Sequence, residues 1–269
     1  MILQFIQWNP SPEIFSIGPV TVRWYGLLFA SGFVIGYFLM LKFFKKEGVP
    51  VALLDKLTTF MVVATVVGAR LGHCLFYEPD VYLSDPIRIL KIWEGGLASH
   101  GAGIAIIIAL YYYSKKTKRP MLWVLDRIVV VTALAGFFIR MGNLMNSEII
   151  GKATEASWGF LFLNHYDAAV RTTPHHPAQL YEALCYLGIF AFLITYYYKR
   201  FEKLVLGELF SYFLILVFGV RFIIEFIKEP QVGFEENMTL NMGQWLSIPF
   251  VLLGIYILYS QKKKLKTAK

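Results

Sequence analysis

A chain of 269 residues that is 57% hydrophobic and only 16% charged carries more apolar surface than one soluble core of that size can bury. Its formal net charge of +8 does not point to nucleic acid, because the basic residues form short clusters between apolar runs and no zinc-finger, RNA-binding or helix-turn-helix pattern accompanies them. Two cysteines are too few for a disulfide framework, and Cys74 and Cys185, both inside apolar runs, read as small buried hydrophobes.

A bilayer-crossing helix needs about 20 mostly apolar residues. Seven stretches qualify as candidates: Val20–Phe44, Leu57–Tyr77, Leu97–Tyr113, Leu122–Arg140, Ala178–Tyr198, Leu209–Ile227 and Trp245–Tyr259. The expectation is an all-α, polytopic membrane bundle of about seven helices forming a single domain over residues 1–269. No linker rich in Pro, Ser or Gly divides the chain. The first stretch lacks basic residues, so no cleavable signal peptide is expected and the first span remains as an anchor. The connection at about 141–177 is polar and aromatic without a long apolar run, and is expected to form a small extracytoplasmic cap.

Alternate connections are basic. Lys42, Lys45 and Lys46, then Lys115, Lys116, Lys118 and Arg119, then Lys199, Arg200 and Lys203, and finally Lys262, Lys263, Lys264, Lys266 and Lys269 fall on one side. The other side holds only Arg88, Lys91, Lys152, Arg171 and Lys228. The positive-inside rule therefore predicts an extracytoplasmic N-terminus and a cytoplasmic C-terminus.

Ionisable residues inside spans are costly and usually face a bundle interior. With that orientation Tyr25, Arg70, His73, His100, Arg140, His176, Tyr181, Glu182, Arg221 and Glu225 all fall in the outer half of the membrane. The convergence predicts one polar site opening towards the outer leaflet. Plainer uses exist for some of them. Arg23 and Trp24 suit an interface anchor, Arg221 and Glu225 are spaced to pair on one helix face, Arg70 can snorkel and His100 can be a satisfied core histidine. Asp126 and Arg127, near the other end of their span, read as structural.

The surroundings of these residues sharpen the reading. Glu94–Gly103 (EGGLASHGAG) places small residues around His100, which permits close backbone approach. Arg140, Asn143 and Asn146 follow one another at threes, so in a helix they share a face that offers a guanidinium and amide donors to a phosphodiester. Neither a phosphate loop nor a dinucleotide fingerprint nor metal-ligand spacing is present, and His175 beside His176 is poor geometry for a shared zinc.

These segments together resemble the prolipoprotein diacylglyceryl transferase family. The resemblance rests on FSIGPVTVRWYGL (Phe15–Leu27), GARLG (Gly68–Gly72), WEGGLASHGAG (Trp93–Gly103), RMGNLMNSEIIGK (Arg140–Lys152), HPAQLYE (His176–Glu182), RFIIEFIKEP (Arg221–Pro230) and MGQWLSIP (Met242–Pro249), in order and almost end to end. Three places depart from the family pattern. Gly101-Ala102 stands where Gly-Gly is usual, KEPQ (Lys228–Gln231) where a form like R-E-P-D is frequent, and Val217 where some members carry tyrosine. No role is carried to Val217, Lys228 or Gln231.

The resemblance implies a bacterial inner-membrane enzyme. It would move the diacylglyceryl group of phosphatidylglycerol onto the lipobox cysteine of a preprolipoprotein, form a thioether and release glycerol 1-phosphate. No cofactor or metal is implied, since the lipid carries its own leaving group; the partners are the bilayer, phosphatidylglycerol and the lipobox signal peptide, with no nucleic acid. His100 is the expected general base, because an imidazole can accept a proton near neutrality. Arg140 and Arg221 would grip the phosphate, with Tyr25 as a further catalytic candidate. Asn143, Asn146, Glu148, Glu225, Arg70 and His176 are the expected substrate-binding set, with Glu148 and Glu225 holding the arginines. A transporter or flippase for an anionic lipid is the competing reading.

Overall fold

The computed structural model describes residues 5–18, 20–230 and 238–267. Gln231 and Lys269 therefore lie outside the described residues. The chain forms two compact units, Met1–Phe38 with Leu125–Lys269, and Leu39–Val124.

The first unit opens with β-structure rather than helix. Strand β1 (Ile6–Trp8) is followed by β2 (Glu13–Ile17) and β3 (Val20–Arg23), and the last two pair antiparallel. The turn between them uses Gly18 at φ 57°, a conformation that glycine adopts freely. The first expected span therefore starts at Trp24, not Val20. Val20, Thr21 and Val22 are all β-branched and the segment pairs locally, and over so short a run apolarity does not separate strand from helix.

The α-helix α1 (Trp24–Lys46) begins in this unit and ends in the second. The second unit continues with α2 (Val51–Phe76), the short α3 (Pro79–Ser84), two 3-10 turns and α4 (Ser99–Thr117). Helix α5 (Met121–Met145) leads back into the first unit. There follow β4 (Phe160–Phe162), α6 (Ala168–Thr172), α7 (Ala178–Arg200), α8 (Glu208–Ile224) and α9 (Met242–Thr267).

Six helices among the described residues are long and apolar enough to cross a bilayer, from Trp24–Lys46 to Met242–Lys264. The remaining expected span, Leu97–Tyr113, is α4. It has 19 residues, roughly 28 Å at helical rise, and is made less apolar by His100, by Tyr111–Tyr113 and by Lys115 and Lys116. The protein is a helical, multi-pass membrane protein. Many of its exposed side chains are Leu, Ile, Val and Phe, as expected where lipid rather than water is the solvent. Cys185 belongs to this class: it is exposed beside Leu184 and Leu187 on α7, contrary to the expectation that it is buried, whereas Cys74 is buried.

In the second unit α2 packs along α4 through small residues. Gly68 and Gly72 on α2 meet Gly101, Ala102 and Ala105 on α4, and a Cβ on Gly101 would stand 2.6 Å from Gly72 Cα. Small residues let membrane helices approach this closely. Gly101→Val is expected to prevent the crossing, since backbone cannot move aside as a side-chain tip can. Loss of the monodisperse peak in detergent size exclusion would check it.

In the first unit α5 extends to Met145, and the rest of the 141–177 connection carries β4, which pairs parallel with β1. The sequence alone did not indicate that Ile6–Trp8 joins this connection. Its core is Leu144, Ile150, Phe160 and Phe162, with Trp8 and Leu180 against it. The Trp8 indole N–H donates to Leu144 O at 2.9 Å, tying the strand to the end of α5.

Candidate functional site

The last turn of α5 and the turn after it carry the amide cluster. Arg140 Nη1 donates to Asn143 Oδ1 at 3.1 Å, and Asn143 Nδ2 donates to Glu148 Oε1 at 2.8 Å. Asn146 Nδ2 reaches the same oxygen at 3.2 Å. Spacing by threes thus brings Arg140, Asn143 and Asn146 into one network, as the sequence predicts. Glu148 does not hold an arginine: its carboxylate is met by the two amides.

The turn that aims Glu148 is strained. Ser147 (φ 54°) and Ile149 (φ 59°) are both left-handed, a conformation that costs a β-branched residue most. The surroundings over-determine it. Buried Gln179, from α7, donates Nε2–H to Glu148 O at 2.6 Å. Glu148 N–H donates to Asn143 O, Gly151 N–H to His176 O and Glu229 N–H to Ile150 O.

Arg140 is anchored by Glu182 of α7, a carboxylate with 0% exposure whose Oε2 lies 2.6 Å from Arg140 Nε. Glu182 Oε1 lies 3.6 Å from Nζ of Lys228. Lys228 in turn stands 2.8 Å from Glu225 Oε1, and Arg221 Nε lies 3.6 Å from that same oxygen. Five charges therefore alternate in sign along Arg140, Glu182, Lys228, Glu225 and Arg221. Lys228 is 1% exposed and Arg221 35%. Arg221 Nε is itself buried and makes no hydrogen bond among the described residues.

Other groups complete this cluster. Asn241 Nδ2 donates to Glu225 Oε2 at 2.9 Å. Gly243, in the first turn of α9, leaves room for that carboxylate, since a Cβ there would fall 2.9 Å from Glu225 Cγ. Tyr186, buried on α7 one turn after Glu182, packs against Gly136 of α5, one turn before Arg140. Tyr25, in the first turn of α1, packs on Gly142 and lies within electrostatic range of Glu148 and Arg140. His176 packs on Gly151, and its Nδ1 is 3.2 Å from the Tyr181 hydroxyl, which also accepts the Trp158 indole N–H at 3.0 Å.

The second unit carries Arg70 and His100. Arg70, expected among the substrate-binding residues, is buried and directs its guanidinium at backbone. Its Nε donates to Ile89 O at 3.0 Å and Nη2 to Arg88 O at 2.6 Å and Lys91 O at 3.1 Å. Nη1 donates to Gly95 O and Gly96 O. Those carbonyls belong to the irregular segment before His100, so Arg70 pins that segment instead of presenting itself to a ligand. His100 is the second residue of α4 and is exposed. His73 on α2 lies 3.7 Å from Glu78.

Reading the sequence set Glu182 among the polar residues of the outer half but gave it no role, and it missed Tyr186, Asn241, Gln179 and above all Lys228 as members of the cluster. For Glu182 the available signal was a lone acidic residue inside an apolar run. For Lys228 none was available, because a lysine just past a helix end reads as solvated.

A family model described as prolipoprotein diacylglyceryl transferase matches residues 12–260. The chain is 50% identical over 259 residues to a phosphatidylglycerol–prolipoprotein diacylglyceryl transferase of Tolumonas auensis, a match covering 96% of this chain and 98% of the relative. Relatives of the same name from Chloroherpeton thalassium and Bacteroides fragilis are 45% and 42% identical, each across 98% of this chain and 97% and 99% of theirs. The chain belongs to the prolipoprotein diacylglyceryl transferase family.

Proposed function

We propose that this protein transfers the diacylglyceryl group of phosphatidylglycerol to the lipobox cysteine thiol of a preprolipoprotein, the first step of bacterial lipoprotein maturation. The observation that carries the reading is the buried alternating chain in which Arg140 and Arg221 flank Glu182, Lys228 and Glu225. Such a cluster in an apolar protein serves an anion, and the names of the relatives specify which one. The same names favour transfer over transport of an anionic lipid.

In the reaction the cysteine sulfur attacks the glycerol carbon that bears the phosphate. The carbon–sulfur bond forms as the carbon–oxygen bond breaks, and the electron pair leaves on the phosphate oxygen of glycerol 1-phosphate. Arg140 and Arg221 steady that growing charge in a low-dielectric site. Asn143, Asn146 and Tyr25 orient the headgroup, Glu148 holds the two amides, Glu225 steadies Arg221, and His176 supports the cap through Tyr181. His100 takes the thiol proton, because only the thiolate is a competent nucleophile. Arg70 acts at a distance, by fixing the segment that leads to His100. The distribution of basic connections supports a site towards the outer leaflet of the inner membrane, with the N-terminus outside and the C-terminus in the cytoplasm.

The deciding experiment mixes purified protein with labelled phosphatidylglycerol and either a lipobox peptide or its Cys→Ser form. Label is expected on the cysteine peptide alone, and His100→Ala is expected to abolish its transfer while the protein stays folded. A folded, lipid-supplemented protein that labels neither peptide would remove the reading.

A further inference from the structure

We propose that Lys228 is the positioning residue that sets both guanidinia for the lipid phosphate, an inference that rests on the transfer reading above. Its ammonium is buried between two carboxylates, 2.8 Å from Glu225 Oε1 and 3.6 Å from Glu182 Oε1. A buried ammonium is costly unless paired, so this lysine is not a solvated loop cation. Its backbone is fixed as well. Residue 228 bridges to Gly151, Lys152 N–H donates to Ile227 O at 2.8 Å and Glu229 N–H donates to Ile150 O at 3.2 Å. The segment that bears Lys228 is thereby joined to the segment that follows Glu148.

The consequence lies in the charge balance. Three cations, Arg140, Lys228 and Arg221, meet two carboxylates, Glu182 and Glu225. One positive charge is left for a phosphodiester monoanion. Glu148, beyond Asn143, is answered by amide donors and does not contact this chain of charges. Without the ammonium, two guanidinia would face two buried carboxylates and neutralise them. Each arginine would then be drawn towards its own carboxylate and away from a lipid. Lys228 thus acts through the arginines and touches neither substrate.

The test compares KM and kcat for phosphatidylglycerol and for the acceptor peptide in the full-length protein, with folding followed by size exclusion. The variants are Lys228→Met, Lys228→Arg and Lys228→Met/Glu225→Gln. Lys228→Met is expected to raise KM for the lipid by about tenfold or more, or roughly 1.4 kcal/mol, with KM for the peptide unchanged. Lys228→Arg restores the lipid KM. The double variant, which again leaves one surplus positive charge, recovers it to within about threefold, or roughly 0.6 kcal/mol. An unchanged lipid KM in Lys228→Met, or equal losses for lipid and peptide, overturns the proposal. If Lys228→Met does not fold, the double variant decides, and a tenfold rise in its lipid KM overturns it. Wild-type protein that transfers nothing would defeat the parent reading instead, so the two failures are separable.

Discussion

Arg140→Lys is expected to lower the transfer rate by about 10²–10³-fold, the effect of losing a preorganised donor at a site of developing charge, although the formal charge is kept. A guanidinium carries several donors in a rigid plane, and Arg140 uses that plane in two directions. Its Nε faces Glu182 at 2.6 Å and its Nη1 donates to Asn143 at 3.1 Å. A lysine has one compact ammonium on a flexible stem and cannot hold both partners while facing a phosphate. Arg140→Gln should be worse, because it also leaves Glu182 as a buried carboxylate with its nearest partner removed, which typically costs about 3–5 kcal/mol of stability. Initial rates of label transfer to the lipobox peptide, normalised to protein that elutes as a folded monodisperse species, give the measurement. A wild-type rate in Arg140→Lys would remove the guanidinium from the mechanism and leave only its charge.

Why that arginine was legible and its anchor was not follows from range. Arg140, Asn143 and Asn146 are neighbours along one helix end, and the 3.6-residue period alone places them together. Glu182 reaches Arg140 from α7, across the whole 141–177 connection, and no local pattern specifies that pairing. Lys228 was read with the sparse basic residues of the outer connections, when it is in fact walled in by Glu182, Glu225 and backbone. Arg70 shows the opposite error. Its depth within a span, together with the family resemblance, suggested a ligand, but the carbonyls of Arg88, Ile89, Lys91, Gly95 and Gly96 satisfy it. The shape of that irregular segment cannot be read from composition.

The same contrast holds for the fold. The helices α1, α2, α5, α7, α8 and α9 follow from long apolar runs, because only a helix satisfies every backbone group within its own segment in lipid. The strands do not follow. Val20–Arg23 was absorbed into the first apolar run, and β1 finds β4 across most of the chain. Long-range pairing of three-residue strands depends on where helix ends bring them, and Trp8 on Leu144 O shows α5 making that placement.

Asp126→Ala is expected to destabilise the protein by about 2–4 kcal/mol, the sum of a lost helix cap and a stranded backbone donor. Asp126 sits in the second turn of α5 with 0% exposure. Its Oδ2 accepts the Gly207 N–H at 2.7 Å and its Oδ1 the Phe210 N–H at 2.9 Å. These are donors at the start of α8, where the capping position is Gly207, left-handed at φ 83° and without a side chain to cap with. The first turn of a helix leaves its N–H groups without intrahelical acceptors, and in a membrane protein no bulk water replaces them. Asp126 therefore caps α8 from a different helix, with its negative charge at the positive end of the helix dipole. Asp126→Asn keeps one acceptor oxygen and should lose about half as much. At roughly 2–4 °C per kcal/mol for a chain of this size, the alanine variant should melt about 4–16 °C below wild type. Because α8 ends at the residues that carry Arg221 and Glu225, the variant should keep its lipid KM at low temperature and lose activity only as it unfolds. A melting temperature equal to wild type would mean that the α8 N-terminus is satisfied by other groups, and a raised lipid KM in folded protein would mean that the cap also sets the site.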